Sequence, residues 1–435
     1  MSLSKMLRSR LTVGLVVLLA AGAAACSSSA KPGASNSPTT TPTGSTGSPS
    51  PAALLGAPRR ASGTPVKIGL LTTGGNCSGC TSNYEEPAAK AAVDWLNDYN
   101  RGLAGHPITL DVCVDNNDPG TGTDCANQMI RDNVAAVVIG SNGILETEWK
   151  LLNDAGIPVV NHSATQPAVL RDAKSTFILY DPEAQTVTLP IAVTRDAGTK
   201  KLTLVVVDFP TATDLYKQDS TKQTFAKAGV DWKMITVPLG QADLTPQAQE
   251  VMADNPDGVV AIIGSDVTCI PALNALHSLG FRGTYTTISY CITDAMRKAV
   301  SADVIKGMRF AAEAPFGDTS DRSMQQYAAI IDKYEKGNVP VDDQPALTVF
   351  QSVAAIGVGA QDLQGTVTPA SVTAAMKSMK NTVLPASGGR VFRCNGKAAP
   401  DEGPAICSVG TETATLDANG QPTGWKLANN GPIPG

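Results

Sequence analysis

The chain has 435 residues, with 34 Lys and Arg against 39 Asp and Glu, a formal charge of −5 at neutral pH. That mildly acidic balance, without basic clusters, argues against a nucleic-acid-binding protein. Three histidines are scattered at His106, His162 and His277, so no clustered set of metal ligands is expected.

Lys5, Arg8 and Arg10 precede an apolar run, Leu11–Ala20, and the small residues that lead to Cys26. A basic start, about ten apolar residues and small residues before a cut describe a secretory signal over residues 1–25. The run is too short for a membrane-spanning helix, which needs about 20 apolar residues. A cysteine directly after the small residues resembles a bacterial lipobox, which implies lipidation at Cys26, although Ala23 stands where leucine is usual. Simple secretion is the alternative. Removing the three basic residues of the signal takes the charge from −5 to −8. Residues 26–65, mostly Ser, Thr, Pro, Gly and Ala, cannot bury a core and are expected to form a disordered tether.

About 370 residues remain, enough for two sizeable lobes. Eight cysteines remain besides Cys26, an even number suited to an oxidising compartment. Their order favours neighbours: Cys77 with Cys80, Cys113 with Cys125, Cys269 with Cys291, and Cys394 with Cys407. Eight cysteines allow 105 pairings. Cys77-Ser-Gly-Cys80 also has the spacing of half a zinc site or a redox pair, but no second such pair exists.

Val66–Leu71 is expected as the first strand; the Thr72–Asn76 loop after it lacks the Gly-Lys-Ser/Thr of a phosphate loop. A helix follows over residues 86–99, then an alternating strand at Ile108–Val114. The exit loop Asp115–Pro119 lacks the spacing of a calcium loop. A helix over 123–131 leads to the stretch Ala135–Pro167. There the strand Ala135–Ile139 stops at Gly140-Ser141-Asn142-Gly143. Leu145, Trp149, Leu152 and Ala155 then follow at helical spacing, and Val159–Asn161 runs into Ser163-Ala164-Thr165. In an open parallel sheet such loops lie along the carboxyl edge, where ligands bind.

The rhythm repeats. Phe177–Pro182 reads as a crossing between lobes, followed by a helix over 183–195 and strands at 202–207, 233–237, 258–263 and 284–289. Helices over 215–228, 246–253, 269–279 and 292–300 separate them. Phe310–Phe316 reads as a second crossing. Helices over 323–336, 345–363 and 369–380 then complete the first lobe, and the Gly/Pro-rich tail reads as hairpins beside the hinge and second lobe. Lobe 1 is expected over 66–181 and 316–382, and lobe 2 over 182–315 and 383–435.

This order of elements resembles the type I periplasmic binding proteins, specifically the branched-chain amino acid (Leu/Ile/Val) branch of the ABC importers. The motifs VKIGLL at Val66, IGSNG at Ile139, AGIPVVNHSATQP at Ala155 and GFRGTYTT at Gly280 carry the resemblance, which spans about Val66 to Trp425. It implies an α/β fold of two doubly wound, Rossmann-like lobes joined by a three-strand hinge, the Venus-flytrap arrangement. It also implies a disulfide matching Cys113–Cys125.

The resemblance further implies a small-molecule ligand between the lobes, handed to a membrane permease driven by an ATPase. The ligand carboxylate would sit on Ser141, Asn142, Ser163, Ala164 and Thr165, where helix N-termini and hydroxyls suit an anion. Plain helix capping is the competing role for Ser163 and Thr165. Tyr84, Phe209 and Tyr290 are candidates for stacking. Amino-acid binders of this branch carry an acid on the loop equivalent to Ser289-Tyr290-Cys291; here there is none, which leaves Asp266, or Asp294, to hold an ammonium group, or a ligand without one. The expected protein is a lipid-anchored, extracytoplasmic monomer without cofactor or catalysis. A ligand-sensing module that signals to a receptor partner is the alternative. A serine hydrolase would want Gly-x-Ser-x-Gly, which Gly140–Gly143 does not supply.

Overall fold

The structure, a computed structural model, describes residues 50–75 and 82–435. The signal, Cys26, most of the tether and the Cys77–Cys80 pair lie outside the described residues.

The first sheet is parallel, in the order β2-β1-β3-β4-β5. It is built from β1 (Val66–Thr72), β2 (Ile108–Val114), β3 (Val137–Ile139), β4 (Val159–Asn161) and β5 (Thr176–Ile178). β1 sits between β2 and β3, with Leu71 opposite both Cys113 and Ile139. Two apolar faces explain why these short β-branched runs read as continuous: parallel sheets are covered on both sides. One cover is the helix Gln344–Gly359, buried along nearly its whole length. Its Leu347, Phe350, Val353 and Ile356 are fully buried, each contributing about 1.5–3 kcal/mol of transfer free energy. Asp343 caps it, accepting from Ala346 N at 2.9 Å.

The second sheet has seven strands. β6 (Lys201–Val207), β7 (Asp231–Val237), β8 (Val259–Ile263), β9 (Thr284–Ile288) and β10 (Arg309–Ala312) are parallel, in the order β7-β6-β8-β9-β10. A small pair, β11 (Thr382–Val383) and β12 (Val391–Phe392), precedes the antiparallel additions β13 (Thr411–Leu416) and β14 (Pro422–Ala428). The chain passes between the two lobes after β5, after β10 and before β13. One apolar cluster runs from Leu70, Leu96 and Phe350 through Tyr180, Ala314 and Phe316 at these crossings to Val260, Leu276 and Phe310.

Two expected boundaries change. Residues 51–65 are not a loose tether. Pro51–Leu55 is a helix capped by Ser50, Leu55 is buried, and Leu54 O accepts from Gln326 Nε2 at 2.8 Å. Arg59 N and Ala61 N then donate to Asp98 O and Asn97 O; two leucines in a polar stretch suffice to dock it. The tail from residue 383 does not belong wholly to lobe 2 either. Ile406 bridges Ile178 in parallel, extending the first sheet, and Ala399, Ala405 and Ile406 share an apolar cluster with Leu71, Ile139 and Leu152. Only β13 and β14 join the second sheet. The structure pairs Cys113–Cys125, Cys269–Cys291 and Cys394–Cys407. No helix among the described residues is long and apolar enough to cross a membrane.

Candidate functional site

Each sheet reverses its strand order once, between β1 and β3 and between β6 and β8, and the carboxyl edges at these switch points face each other. Between them lies a cavity of about 260 Å³. The loops after β1, β3 and β4 form one wall, and those after β6, β8, β9 and β10 the other.

The lobe-1 wall is held from behind by carboxyl groups. Glu85, first residue of the helix Glu85–Tyr99, accepts from Thr72 Oγ1 at 2.5 Å and from Ser141 N at 2.7 Å. Gly140 has no side chain because a Cβ there would collide with that carboxylate. Asn142 Nδ2 donates to Glu148 Oε2 at 2.8 Å and to Asp115 Oδ2 at 3.3 Å, while its Oδ1 accepts from Ile144 N. Burial pushes Glu85 up to about 7 and raises Asp115. Glu148 is raised well above its ordinary value by burial and then by the neighbouring Asp115. Gly143 N donates to Asn117 Oδ1 at 2.7 Å, Ser163 N to Asn161 Oδ1 at 2.9 Å and Thr165 N to Gln166 Oε1 at 3.2 Å.

The lobes touch across the cavity. Tyr290 OH lies 3.2 Å from Ser141 Oγ and 3.1 Å from His162 Nε2. Thr165 Oγ1 donates to Thr211 O at 2.8 Å, and Gln218 Nε2 donates to Thr165 O at 3.1 Å. These contacts describe a closed cleft. Desolvation pushes His162 down to about 4 and raises Tyr290, so both are neutral at pH 7. On the hinge side, Ser289 Oγ donates to Glu313 Oε2 at 2.8 Å. Burial raises the Glu313 carboxyl.

Of the residues singled out in the sequence, Ser141, Asn142, Ser163, Ala164, Thr165, Phe209 and Tyr290 line the cavity. Two do not. Tyr84 precedes its helix and packs against the core. Asp266 opens the helix after β8 and accepts from Thr293 Oγ1, ahead of the next helix, at 2.9 Å, and it does not line the cavity. Asp294 pairs with Arg297 at 2.7 Å. Sequence reading missed Glu85, His162, Gln185 and Glu313, which the cavity does contain. A carboxyl inside the apolar run Ala311–Pro315 was the available signal for Glu313, since unpaired acids are rarely buried without a task.

The sequence matches the periplasmic binding protein family over residues 65–402. The chain belongs to that family. Among solved structures it is similar to the branched-chain amino acid transporter substrate binding protein LivJ of Streptococcus pneumoniae, in complex with isoleucine. There the TM-score is 0.64 at 16% identity, covering 84% of this chain and 99% of that one. The leucine binding protein LivK of Thermotoga maritima gives 0.68 at 12% identity, with 84% and 99% covered. A solute binding protein of an ABC transporter from Rhodopseudomonas palustris, in complex with 3,4-dihydroxy benzoic acid, gives 0.67 at 16% identity, with 85% and 99% covered. No match is found among curated proteins. The two lobes of this binding protein therefore have the type I periplasmic binding fold. At such low identity the likeness carries the fold, and the ligand has to be read from the cleft itself.

Proposed function

We propose that this periplasmic binding protein is the substrate-binding component of an ABC importer. It captures a small polar ligand, an amino acid or a related small polar organic compound, and delivers it to a permease. Cys26 is the lipid attachment point that keeps it on the outer face of the cell membrane. The observation that carries this reading is the cavity at the two facing sheet edges, crossed by Tyr290–Ser141 and Thr165–Thr211. Such bridges form only when the lobes are together. A ligand that touches both walls therefore binds the closed form better, and this differential affinity drives closure about the hinge.

The test is thermal unfolding of the purified protein against amino acids, amides, amines and organic acids. A ligand of the folded state at about 100 times its dissociation constant adds about 2.7 kcal/mol, which is a visible shift. Small-angle scattering of the shifted sample should show a more compact particle. A panel without any shift would reject capture of this ligand class.

A further inference from the structure

Ligand capture in this cleft, the reading just given, leaves open which chemical end the walls are built to hold. The family resemblance directs attention to backbone amides on the loops after β3 and β4 as holders of a carboxylate. In this chain four of the amides on these loops already have partners. Ser141 N is occupied by Glu85, Gly143 N by Asn117, Ser163 N by Asn161 and Thr165 N by Gln166. The Thr165 hydroxyl is directed to Thr211 O on the other lobe. An internal carboxylate, Glu85, thus takes a donor that an anionic ligand would need.

The charges around the cavity point the same way. Its lining contains Glu85 and Glu313, each 2% exposed, and among the described residues no Lys or Arg. His162 and Tyr290 face the cavity uncharged. Behind the β3 loop stand two more acids, Asp115 and Glu148. Near Glu313 lies Arg390, whose Nη2 donates to the backbone carbonyl of Glu313 at 3.3 Å; it is shared with Glu412 and does not line the cavity. A carboxylate brought here would meet buried acidic groups and no cationic side chain in the lining, which is costly. A cation would meet acceptors. Leu145, Phe209, Leu239, Ile263 and Ile288 supply an apolar part of the wall.

We propose that the ligand is an organic amine, cationic at one end and apolar in its body, held by Glu85 and Glu313 and lacking a carboxylate. The ammonium N–H groups donate to the two carboxyls, and the body packs on Phe209 and the aliphatic wall. Glu85 is then a specificity residue that both recognises the amine and takes the Ser141 amide from an acid.

The test uses matched sets that share one apolar body, titrated into the full protein by calorimetry. One set is 3-methylbutylamine, leucine and 4-methylpentanoate; a second is phenethylamine, phenylalanine and 3-phenylpropanoate. The expected result is that an amine binds at least about tenfold tighter than its amino acid and acid counterparts. Glu85→Gln and Glu313→Gln should each weaken that amine about 10- to 100-fold, the scale of a hydrogen bond to a charge. Tighter binding of an amino acid or acid overturns the amine assignment and leaves ligand capture standing. So does binding of a neutral compound from the wider panel with no response to amines. If nothing in either panel binds, the capture reading falls with it.

Discussion

The guanidinium of Arg390 lies 4.5 Å from the centre of the Tyr180 ring and donates to Glu313 O at 3.3 Å. Tyr180 belongs to the first crossing between the lobes and Glu313 to the second, so one buried side chain touches both. Ser408, on the third, donates to Leu179 O at 2.5 Å. The three crossings are therefore tied to one another beside the cavity, which keeps the pivot fixed while the lobes move.

Removing that guanidinium leaves Glu412 and Glu313 without their shared cation and empties a fully buried site. A hydrogen bond from a charged group, here the one to Glu313 O, contributes about 1.5–3 kcal/mol. Arg390→Met should lower unfolding free energy in urea by that amount. A loss below about 1 kcal/mol would mean that the cation contributes packing alone.

The hydroxyl of Thr165 donates across the cleft to a lobe-2 carbonyl. Thr165→Val keeps the shape and removes that bond, at about 0.5–1.5 kcal/mol. Because the bond exists only between closed lobes, the cost should appear as faster ligand release, with association little changed. Stopped-flow measurement of both rates checks this; an unaltered release rate would place the closing contact elsewhere.

Two disulfides should differ in consequence. Cys113–Cys125 ties β2 to the helix Pro119–Arg131, whereas Cys269–Cys291 holds the turn that carries Tyr290. Replacing the first pair by serine should cost about 3 kcal/mol of stability, as for loops of this length, with ligand affinity unchanged. Replacing the second should also weaken binding about tenfold, one hydrogen bond's worth of misplacement at Tyr290. Peptide mapping without reduction that finds these thiols free would remove the basis for both expectations.

How legible this was depended on which forces set each feature. Val159–Asn161 is buried throughout, which selects its short apolar run, whereas the edge strand Ile108–Val114 is mostly half-buried or exposed and reads through its mixed, alternating pattern. The helix expected over 215–228 is in fact two, Pro210–Lys217 and Asp219–Ala228, broken at Gln218. Gln218 is extended, and its side chain bonds Thr165 O on the other lobe, so a long-range contact overrides helix propensity. The helix expected over 183–195 likewise opens as a π-helical turn, Ala184–Thr188, which carries Gln185 to the cavity. The small loops at Gly140–Gly143 and Ser163–Thr165 were readable as cavity wall. That Glu85 would take the Ser141 amide was not, since that bond depends on tertiary placement.

The last expectation concerns Glu85 and pH. Burial holds its carboxyl up at about 7, against an ordinary value of 4.5. Between those values the folded chain keeps a proton that the unfolded chain has released. Stability therefore falls as pH rises through this window and levels off above about 7, by about 3 kcal/mol in full. His162 acts in the opposite sense. Burial pushes it down to about 4 from 6.5, so the unfolded chain holds the extra proton and stability rises with pH over that range. Because the two windows overlap, the informative quantity is the difference between the native protein and Glu85→Gln. Relative to that variant, the native protein should lose about 3 kcal/mol between about pH 4.5 and about pH 7.5. Urea unfolding of both proteins at several pH values measures it. A constant offset across the series would put the Glu85 carboxyl at its ordinary value.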